Sequence, residues 1–220
     1  MNRREAIKTL ISFSAIAILP KIVLSHIPAP SKFHFVGLGN GGLNALTHIY
    51  DKGVKAGYTC ITNSERPRLP TEIEFIKFNS PEEYQFRRNF EAHIFLPTQI
   101  ENVFREDSDY VLLVALGGYT GTNLTKELSK YLSDRNKKFM IIGCLPFLFE
   151  GNKRISFAAR TKHELNRYSN FYYFEMGDIT RFHGDMLLSE AFQKADERYY
   201  EIFKEKHSQC FADNIFSIPR

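Results

Sequence analysis

Two glycine-rich segments each follow an apolar run and precede a helix-like run. The first reads GLGNGG (residues 37–42) and the second reads GGYTG (residues 117–121). Glycine adopts backbone angles that other residues avoid, and it lets N–H groups come close to a ligand. The start of a helix favours a bound anion. Both segments therefore have the chemistry of a phosphate-binding loop.

The second segment has additional hydrogen-bond donors. Consecutive N–H groups from Gly117 to Gly121 can form an anion-binding nest, and the hydroxyl groups of Thr120 and Thr122 add donors. The alternative is an ordinary strand-to-helix turn in which Thr122 is the helix N-cap. Thr122 can cap the helix under either interpretation.

The first segment matches the GxGxxG pattern of dinucleotide-binding sites. Such a site also needs an acidic residue at the end of the second strand, and Glu65 lies past that end. It does not need a second glycine loop after a later strand. Two loops on neighbouring strands are better suited to holding one polyphosphate from both sides. A Rossmann-type NAD-binding oxidoreductase remains an alternative.

The hydrophobic pattern predicts an α/β fold. Residues 110–116 are apolar on both faces, as in a central parallel strand, and strand-like runs alternate with helix-like runs. This alternation predicts a doubly wound, mostly parallel sheet with helices on both faces, which binds ligands at the carboxyl ends of its strands. Strands are predicted over residues 33–38, 58–62, 74–78, 110–116, 138–144 and 171–174; helices over 43–52, 81–97, 122–134, 153–168 and 185–206.

Composition limits the remaining possibilities. The chain has 220 residues, of which 43% are hydrophobic, enough for one sizeable domain. The net charge of +4 arises before residue 33, and the remainder holds equal numbers of acidic and basic residues. We therefore expect no nucleic-acid partner. The three cysteines are far apart and have no metal-ligand spacing, so no metal site is predicted.

The first 31 residues form a separate segment. A short basic start precedes an apolar stretch that Pro20 and Lys21 interrupt. The uninterrupted part is shorter than the ~20 residues of a membrane span and fits the apolar region of an export signal. Residues 2–8, NRREAIK, resemble a twin-arginine export motif. The alternative is an uncleaved anchor that holds the protein at the cytoplasmic membrane.

Five motifs in order resemble those of the tubulin/FtsZ family, and of its bacterial FtsZ branch in particular. The resemblance covers most of residues 33–213. Its motifs are GLGNGGLNAL (37–46), NSE (63–65), GGYTGTN (117–123), PFLFEGNKR (146–154) and EAFQKADE (190–197). A single glycine motif is weak evidence, whereas five motifs in the family's order are specific.

The resemblance implies a site for guanine nucleotide, GTP or GDP, and allows Mg²⁺ to accompany the nucleotide. It places Glu150 and Arg154 at the ribose, Phe192 stacked on the base, and Asp196 as acceptor from the guanine N–H groups. Phe192 and Asp196 would share one helix face. The residues implied at the phosphates are Gly39, Asn40, Gly41, Gly42, Asn44, Gly117, Gly118, Tyr119, Thr120, Gly121 and Thr122.

Each of these assignments has a structural alternative. Glu150 and Arg154 could form a solvated i,i+4 ion pair, worth a few tenths of a kcal/mol. Phe192 could belong to the core, because Leu188, Ala195 and Tyr199 fall on the same helical stripe.

The sequence also departs from the family pattern. Tyr119 replaces a glycine of the second loop, and Gly177 stands where the family has an asparagine that helps at the base. In the family's catalytic loop Cys210 replaces the first acid, which leaves Asp213 as the catalytic candidate. We expect residues 32–207 to form the nucleotide-binding domain and residues 208–220 to be a remnant of the catalytic loop, without the family's second domain.

The resulting hypothesis is an FtsZ-like guanine-nucleotide-binding protein whose GTP hydrolysis is weak or depends on assembly. Its expected partners are another copy of itself or another FtsZ-like protein, and the membrane through the N-terminal segment. The alternative is a non-enzymatic scaffold that has kept the fold and lost nucleotide turnover.

Overall fold

The computed structural model describes residues 33–65, 67–78, 96–183 and 186–211. Their centre is a six-stranded sheet in which every pairing is parallel and the strand order is β3-β2-β1-β4-β5-β6. The strands are β1 (Phe33–Leu38), β2 (Gly57–Thr62), β3 (Ile73–Lys77), β4 (Asp109–Ala115), β5 (Phe139–Leu145) and β6 (Phe171–Glu175).

Helices connect the strands and cover the sheet. They are α1 (Gly39–Asp51), α2 (Thr98–Val103), α3 (Tyr119–Asp134), α4 (Asn152–Leu165), α5 (Met176–His183) and α6 (Leu188–Phe211). A 3₁₀ turn, Leu148–Glu150, precedes α4.

The sheet has a hydrophobic core on each face. On β1, Phe35 packs into the core formed with α1, α5 and α6, whereas its neighbour Val36 packs into the core formed with α2, α3 and α4. Successive side chains of a strand point to opposite faces, so a strand buried on both sides is continuously apolar. This arrangement confirms the predicted doubly wound parallel sheet with helices on both faces.

The order in which the chain adds strands to the sheet reverses between β1 and β4. Strands β2 and β3 lie on one side of β1, and β5 and β6 lie beyond β4. Leu38 of β1 pairs with Val114 of β4, so the carboxyl ends of the two central strands lie side by side. In open parallel sheets this switch point is where ligands bind.

The predicted helix starts differ from the observed ones at both glycine segments. Prediction placed the starts at Leu43 and Thr122, whereas α1 begins at Gly39 and α3 begins at Tyr119. Glycine has a low helix propensity, so the pattern missed the first turn of each helix. Gly39, Gly41, Gly42 and Gly121 therefore lie in the first turns of helices, whereas Gly37 lies in β1 and Gly117 and Gly118 precede α3.

The last helix extends further than predicted. Helix α6 begins at Leu188 and continues to Phe211, past the domain boundary predicted after residue 207. Its buried stripe includes Ala195, Tyr199 and Phe203, and the Tyr199 hydroxyl donates a 2.7 Å hydrogen bond to the Val114 carbonyl oxygen of β4. This bond fixes α6 against the end of the central strand.

Two predicted features fall outside the described residues: the N-terminal segment and most of the helix expected over residues 81–97. Short helix α2, on the other hand, was not predicted. No helix in the described ranges combines the length and the apolar character that crossing a bilayer requires.

The packing of α1 against β4 predicts a large effect of one methyl group. A Cβ atom at Gly42 would lie 2.3 Å from the Leu113 carbonyl oxygen. We expect Gly42→Ala to lower the free energy of unfolding by about 2–3 kcal/mol, measured by urea denaturation.

Gly177→Ala is the matched control, because this glycine is also helical and a Cβ there meets nothing within 4 Å. It should leave the stability unchanged or raise it by up to about 1 kcal/mol. Equal stabilities of the two variants would contradict the close packing of α1.

Candidate functional site

The two glycine segments contact each other at the switch point. A Cβ atom at Gly121 would lie 2.6 Å from the Leu38 carbonyl oxygen, and one at Gly39 would lie 3.1 Å from the Gly121 nitrogen. Gly39 also has a φ of +70°, which favours glycine. The start of α3 therefore rests directly on the end of β1, and both helix N-termini face one cleft.

The cleft runs along the carboxyl edge of the sheet, and its neighbouring parts have lining residues in common. The part that contains Phe192 and Asp196 shares Gly41 and Ala115 with the part between the two glycine segments. That second part shares Gly118 and Tyr119 with a third part beside Arg154, and the third part shares Glu150 with the first. The structure thus brings most of the predicted phosphate, ribose and base residues to this edge, whereas Gly42, packed on β4, and the buried Thr122 do not line the cleft. The side chains and backbone that line it include Leu38, Gly39, Asn40, Gly41, Asn44, Asn63, Ala115, Gly118, Tyr119, Thr120, Gly121, Glu150, Arg154, Phe192 and Asp196.

Gly118 differs from the other glycines of the cleft. A Cβ atom at Gly41 would lie 2.4 Å from the Ala115 Cβ, so packing alone requires glycine there. At Gly118 the nearest atom would be 3.8 Å away, an ordinary contact, and φ is −80°. The protein itself therefore has room for a side chain at Gly118, and a glycine there keeps the N-terminus of α3 open to a ligand.

The Thr122 side chain holds the backbone of the second glycine segment by a hydrogen bond. The Gly117 N–H donates a 2.9 Å hydrogen bond to the Thr122 hydroxyl oxygen, which is buried. The expectation that Thr122 caps the helix is wrong: Gly118 is the N-cap, and Thr122 lies at the end of the first turn. Because the Gly117 N–H donates to Thr122, it is not available to a ligand, and the donors left for an anion are those of the first turn of α3.

Asn40 is held by two residues that sequence reasoning missed. Its Oδ1 atom accepts hydrogen bonds from the hydroxyl groups of Thr62, at 2.9 Å, and Ser64, at 2.8 Å. With its oxygen engaged, the amide nitrogen is the group that Asn40 offers to a ligand. The run Thr62-Asn63-Ser64 at the end of β2 was the available signal, but its hydrogen bonds to the start of α1 could not be predicted from it.

The far end of the cleft has the chemistry of a base pocket. Phe192 and Asp196 lie one turn apart on α6, and Ala115, Cys144 and Met176 also line this end. Phe192 lies on the same helical stripe as the buried Ala195 and Tyr199, but it is 46% exposed. It is therefore not a core residue, which was the alternative interpretation. An exposed aromatic face beside a carboxylate is suited to a flat ligand with N–H donors.

Asp196 is held in its charged form at a cost. Burial raises the pKa of its carboxyl group to about 6, and the nearby His48 only partly opposes this effect. The next residue, Glu197, is by contrast paired with Lys52 at 2.6 Å and with His48 at 2.9 Å, and its pKa is lowered by these hydrogen bonds. A half-buried carboxylate with a raised pKa in a cleft is typical of a functional group.

Glu150 and Arg154 form the ion pair considered as the structural alternative. Arg154 Nη1 lies 2.8 Å from Glu150 Oε2, and the Phe147 N–H donates a 2.8 Å hydrogen bond to Glu150 Oε1. Glu150 thus fixes the 3₁₀ turn, and both residues line the cleft beside Gly118. A structural role and a place at the ligand are compatible here.

Two other candidates do not contribute to the cleft. Glu65, the acid required by the dinucleotide interpretation, is 88% exposed and pairs with Lys77 of β3 at 2.5 Å. Cys210 lies 3.2 Å from the Tyr172 hydroxyl oxygen, inside its own domain. Asp213, the predicted catalytic acid, is outside the described residues. Within those residues no group of three or more metal-ligating side chains comes together.

Known proteins with similar sequences and structures share this architecture. No family model matches the chain. Cell division protein FtsZ of Aquifex aeolicus (strain VF5) is 25% identical over 158 residues, which cover 65% of this chain and 41% of that protein. The chain thus spans well under half of that relative.

Among solved structures, an FtsZ dimer from M. jannaschii matches with a TM-score of 0.65 and 18% identity over 91% of this chain and 61% of that chain. The phage tubulin PhuZ, solved with GDP, matches with a TM-score of 0.54 and 14% identity over 81% of this chain and 57% of its own. These similarities identify the fold.

The raised pKa of the Asp196 carboxyl group predicts that the ionised carboxylate destabilises the folded domain. Below pH ~4 the carboxyl group is protonated in both the folded and the unfolded chain. The folded chain holds this proton more tightly, and the stability that it gains in this way is lost as the pH rises through about 6. We expect Asp196→Asn to raise the free energy of unfolding at pH 8 by about 1–2 kcal/mol, after allowance for solvent screening.

This gain should shrink toward zero at about pH 4, as followed by urea denaturation across pH. Glu197→Gln is the neighbouring control. It removes an acid whose pKa is lowered, so it should reduce stability at pH 8. A loss of stability in both variants at pH 8 would refute the prediction that the Asp196 carboxylate destabilises the fold.

Proposed function

We propose that this chain, which has the tubulin/FtsZ-like fold of the nucleotide-binding domain, binds a guanine nucleotide, GTP or GDP, in the cleft. The observation that carries the proposal is the convergence of two helix N-termini on a cleft that ends at Asp196. One end of the cleft suits phosphates, and the other suits a base with N–H donors.

The phosphates would bind between the starts of α1 and α3. The first turn of a helix directs N–H groups outward and carries a partial positive charge. Gly118 keeps the backbone open to close approach, the Asn40 amide adds a donor, and Thr120 lines the same part of the cleft. A phosphate group can therefore be bound by neutral donors, without a lysine.

The base would lie on Phe192 and donate to Asp196. Guanine presents two neighbouring N–H donors on one edge, and an ionised carboxylate can accept from both. Adenine presents a ring-nitrogen acceptor beside its amino group, which a carboxylate repels. The pocket therefore favours guanine through one side chain, without the family's asparagine at the position of Gly177.

The solved relatives are consistent with this assignment. The phage tubulin was solved with GDP, and the FtsZ of M. jannaschii was solved as an empty dimer. By extension, we propose that this chain binds guanine nucleotide and associates with another copy of itself or with an FtsZ-like protein. A Mg²⁺ ion would accompany the phosphates, which are hard oxygen ligands. Attachment or export through residues 1–31 remains a prediction from the sequence.

Hydrolysis would be weak in the single chain. Cys210, at the position of the family's first catalytic acid, contacts Tyr172, and burial raises the pKa of its thiol. A neutral thiol is a poor group for orienting water beside a phosphate. We propose that any turnover depends on Asp213 of one chain acting at the nucleotide of another.

Nucleotide binding should be abolished by Gly118→Asp. Aspartate is a favourable N-cap residue and the position has room, so the fold should persist. Its carboxylate, however, would stand where the phosphates bind. By calorimetric titration with Mg²⁺ present, we expect micromolar or tighter binding of GTP and GDP by the parent chain. Gly118→Asp should weaken it by at least about 100-fold, and Gly118→Ala should retain it.

The same titrations, run with GTP, GDP, ATP and NAD, separate the alternatives. Binding of NAD in preference to GTP would establish a Rossmann-type oxidoreductase. No heat with any nucleotide, from a chain with a cooperative unfolding transition, would establish a scaffold that has lost nucleotide.

Turnover should depend on contacts between chains. We expect the rate of GTP hydrolysis per chain to rise with protein concentration and to be lost in Asp213→Ala, which still binds GTP. Mixing Asp213→Ala with Gly118→Asp should restore part of the rate, because one variant retains the nucleotide and the other retains the acid. Turnover by Asp213→Ala equal to that of the parent would refute the role of Asp213.

A further inference from the structure

The charges of the domain are unevenly distributed over the fold. From residue 33 onward the chain has equal numbers of acidic and basic residues, but residues 119–170, which form α3, β5 and α4, contain ten Lys and Arg against four Asp and Glu. Residues 33–118 and 171–220 together contain 14 basic and 20 acidic residues. The balanced total therefore combines a net charge of +6 on one part of the fold with −6 on the rest.

The exposed basic residues of α3 and α4 come together near the amino edge of the sheet. Both helices lead from the carboxyl edge back to the amino edge, and Lys126 of α3 pairs with Glu164 of α4 at 3.0 Å. One turn further along each helix lie Lys130 and Arg167, and both are exposed. We name the basic corner after the four exposed residues of this region: Lys130, Arg135, His163 and Arg167.

The charges of the basic corner are not neutralised by ion pairs within the domain. Among the described residues, Lys130, Arg135 and Arg167 have no ion-pair partner, although the exposed acid Asp134 is close in sequence. The outer face of α6, on the other side of the sheet, by contrast carries an arginine that two glutamates pair. The positive charge of the basic corner is therefore available to an anion outside the domain.

Two tyrosine rings lie beside these cations. The guanidinium carbon of Arg135 is 3.7 Å from the centroid of the Tyr131 ring, and that of Arg167 is 4.9 Å from the centroid of the Tyr168 ring. Both tyrosines are half-buried. Amphipathic rings next to cations are suited to the level of lipid headgroups, where apolar and charged groups meet.

The chain enters the domain at this same edge. β1 begins at Phe33, which pairs with Asp109 at the start of β4, and Lys137, just after α3, donates a 3.0 Å hydrogen bond to the Glu106 carbonyl oxygen. The apolar stretch that precedes Phe33 in the sequence is shorter than a membrane span. A weak apolar attachment becomes stable when a basic patch adds attraction to anionic lipids.

We infer that the basic corner binds the headgroups of an anionic lipid surface. The occupant is a membrane surface because the unpaired cations, the tyrosine rings and the entry of the chain lie at one edge of the domain. The candidate nucleotide cleft lies at the opposite, carboxyl edge, so it stays accessible. The inference goes beyond nucleotide binding and does not depend on it.

The test is co-sedimentation of the full chain with vesicles of phosphatidylcholine alone or with about one third phosphatidylglycerol. We expect the parent to bind the anionic vesicles at least about 10-fold more tightly at low salt, and this preference should disappear near 1 M salt, where the Debye length is about 3 Å. The triple variant Lys130→Gln, Arg135→Gln, Arg167→Gln should bind the anionic vesicles at least about 10-fold more weakly than the parent. Its binding to phosphatidylcholine alone should be unchanged.

The matched control removes three exposed cations from α5 and α6, on the other face of the sheet: Arg181→Gln, Lys194→Gln, Lys204→Gln. It changes the net charge equally and should bind the anionic vesicles within about threefold of the parent. Lys130→Gln and Arg167→Gln alone should each weaken this binding about threefold or more. Both triple variants should keep the urea midpoint of the parent, because they change exposed residues.

Three results would overturn the inference. Equal losses in the two triple variants would show that net charge alone matters, and unchanged binding by the basic-corner variants would show that this surface does not contact lipid. Binding of duplex DNA that is lost in the basic-corner triple variant, while binding to anionic vesicles is kept, would identify a nucleic acid as the occupant instead.

Discussion

The structure depends on the close approach of two helix N-termini to the two central strands. A side chain at Gly42 would meet the Leu113 carbonyl of β4, and one at Gly121 would meet the Leu38 carbonyl of β1. Helix α1 therefore packs on β4, the strand that precedes α3, and α3 packs on β1, the strand that precedes α1. The two glycine segments contact each other. Because packing alone requires these glycines, a glycine-rich sequence here is evidence of helix position first and of a ligand second.

The ligand is indicated by residues that packing does not require. Gly118 has room for a side chain and φ within the ordinary range, and Asp196 has a carboxyl pKa raised to about 6 by burial. A fold selected for stability alone would place a neutral residue at position 196. A cleft that combines an open helix N-terminus with a destabilising carboxylate is best explained by binding of a phosphate ester that has N–H donors at its other end.

Much of the fold was predictable from the sequence, and the reasons are local. The strand of residues 110–116 is apolar at every position, which in a parallel sheet indicates burial on both faces, and the structure has β4 there. The first turns of α1 and α3 were not predictable, because glycine disfavours helix and only tertiary contact stabilises it there. The support of Asn40 by Thr62 and Ser64 joins the start of α1 to the end of β2 through side-chain hydrogen bonds, which the periodicity of the sequence does not indicate.

The C-terminal helix bears on whether the site turns over or only holds its ligand. Its outer face carries ion pairs of Arg198 with Glu201 and Glu205, typical of a face in contact with water. Its inner face ends near Cys210, which contacts Tyr172 instead of presenting an acid.

Catalysis of phosphoryl transfer to water needs a positioned acid or amide for the attacking water and space for the terminal phosphate. Here Cys210, a thiol that contacts the Tyr172 hydroxyl group, stands where the family pattern has its first acid. Under the proposed function this departure would oppose hydrolysis, whereas Asp196 and the open N-terminus of α3 would support binding. A nucleotide bound in the proposed way would therefore be held rather than rapidly turned over.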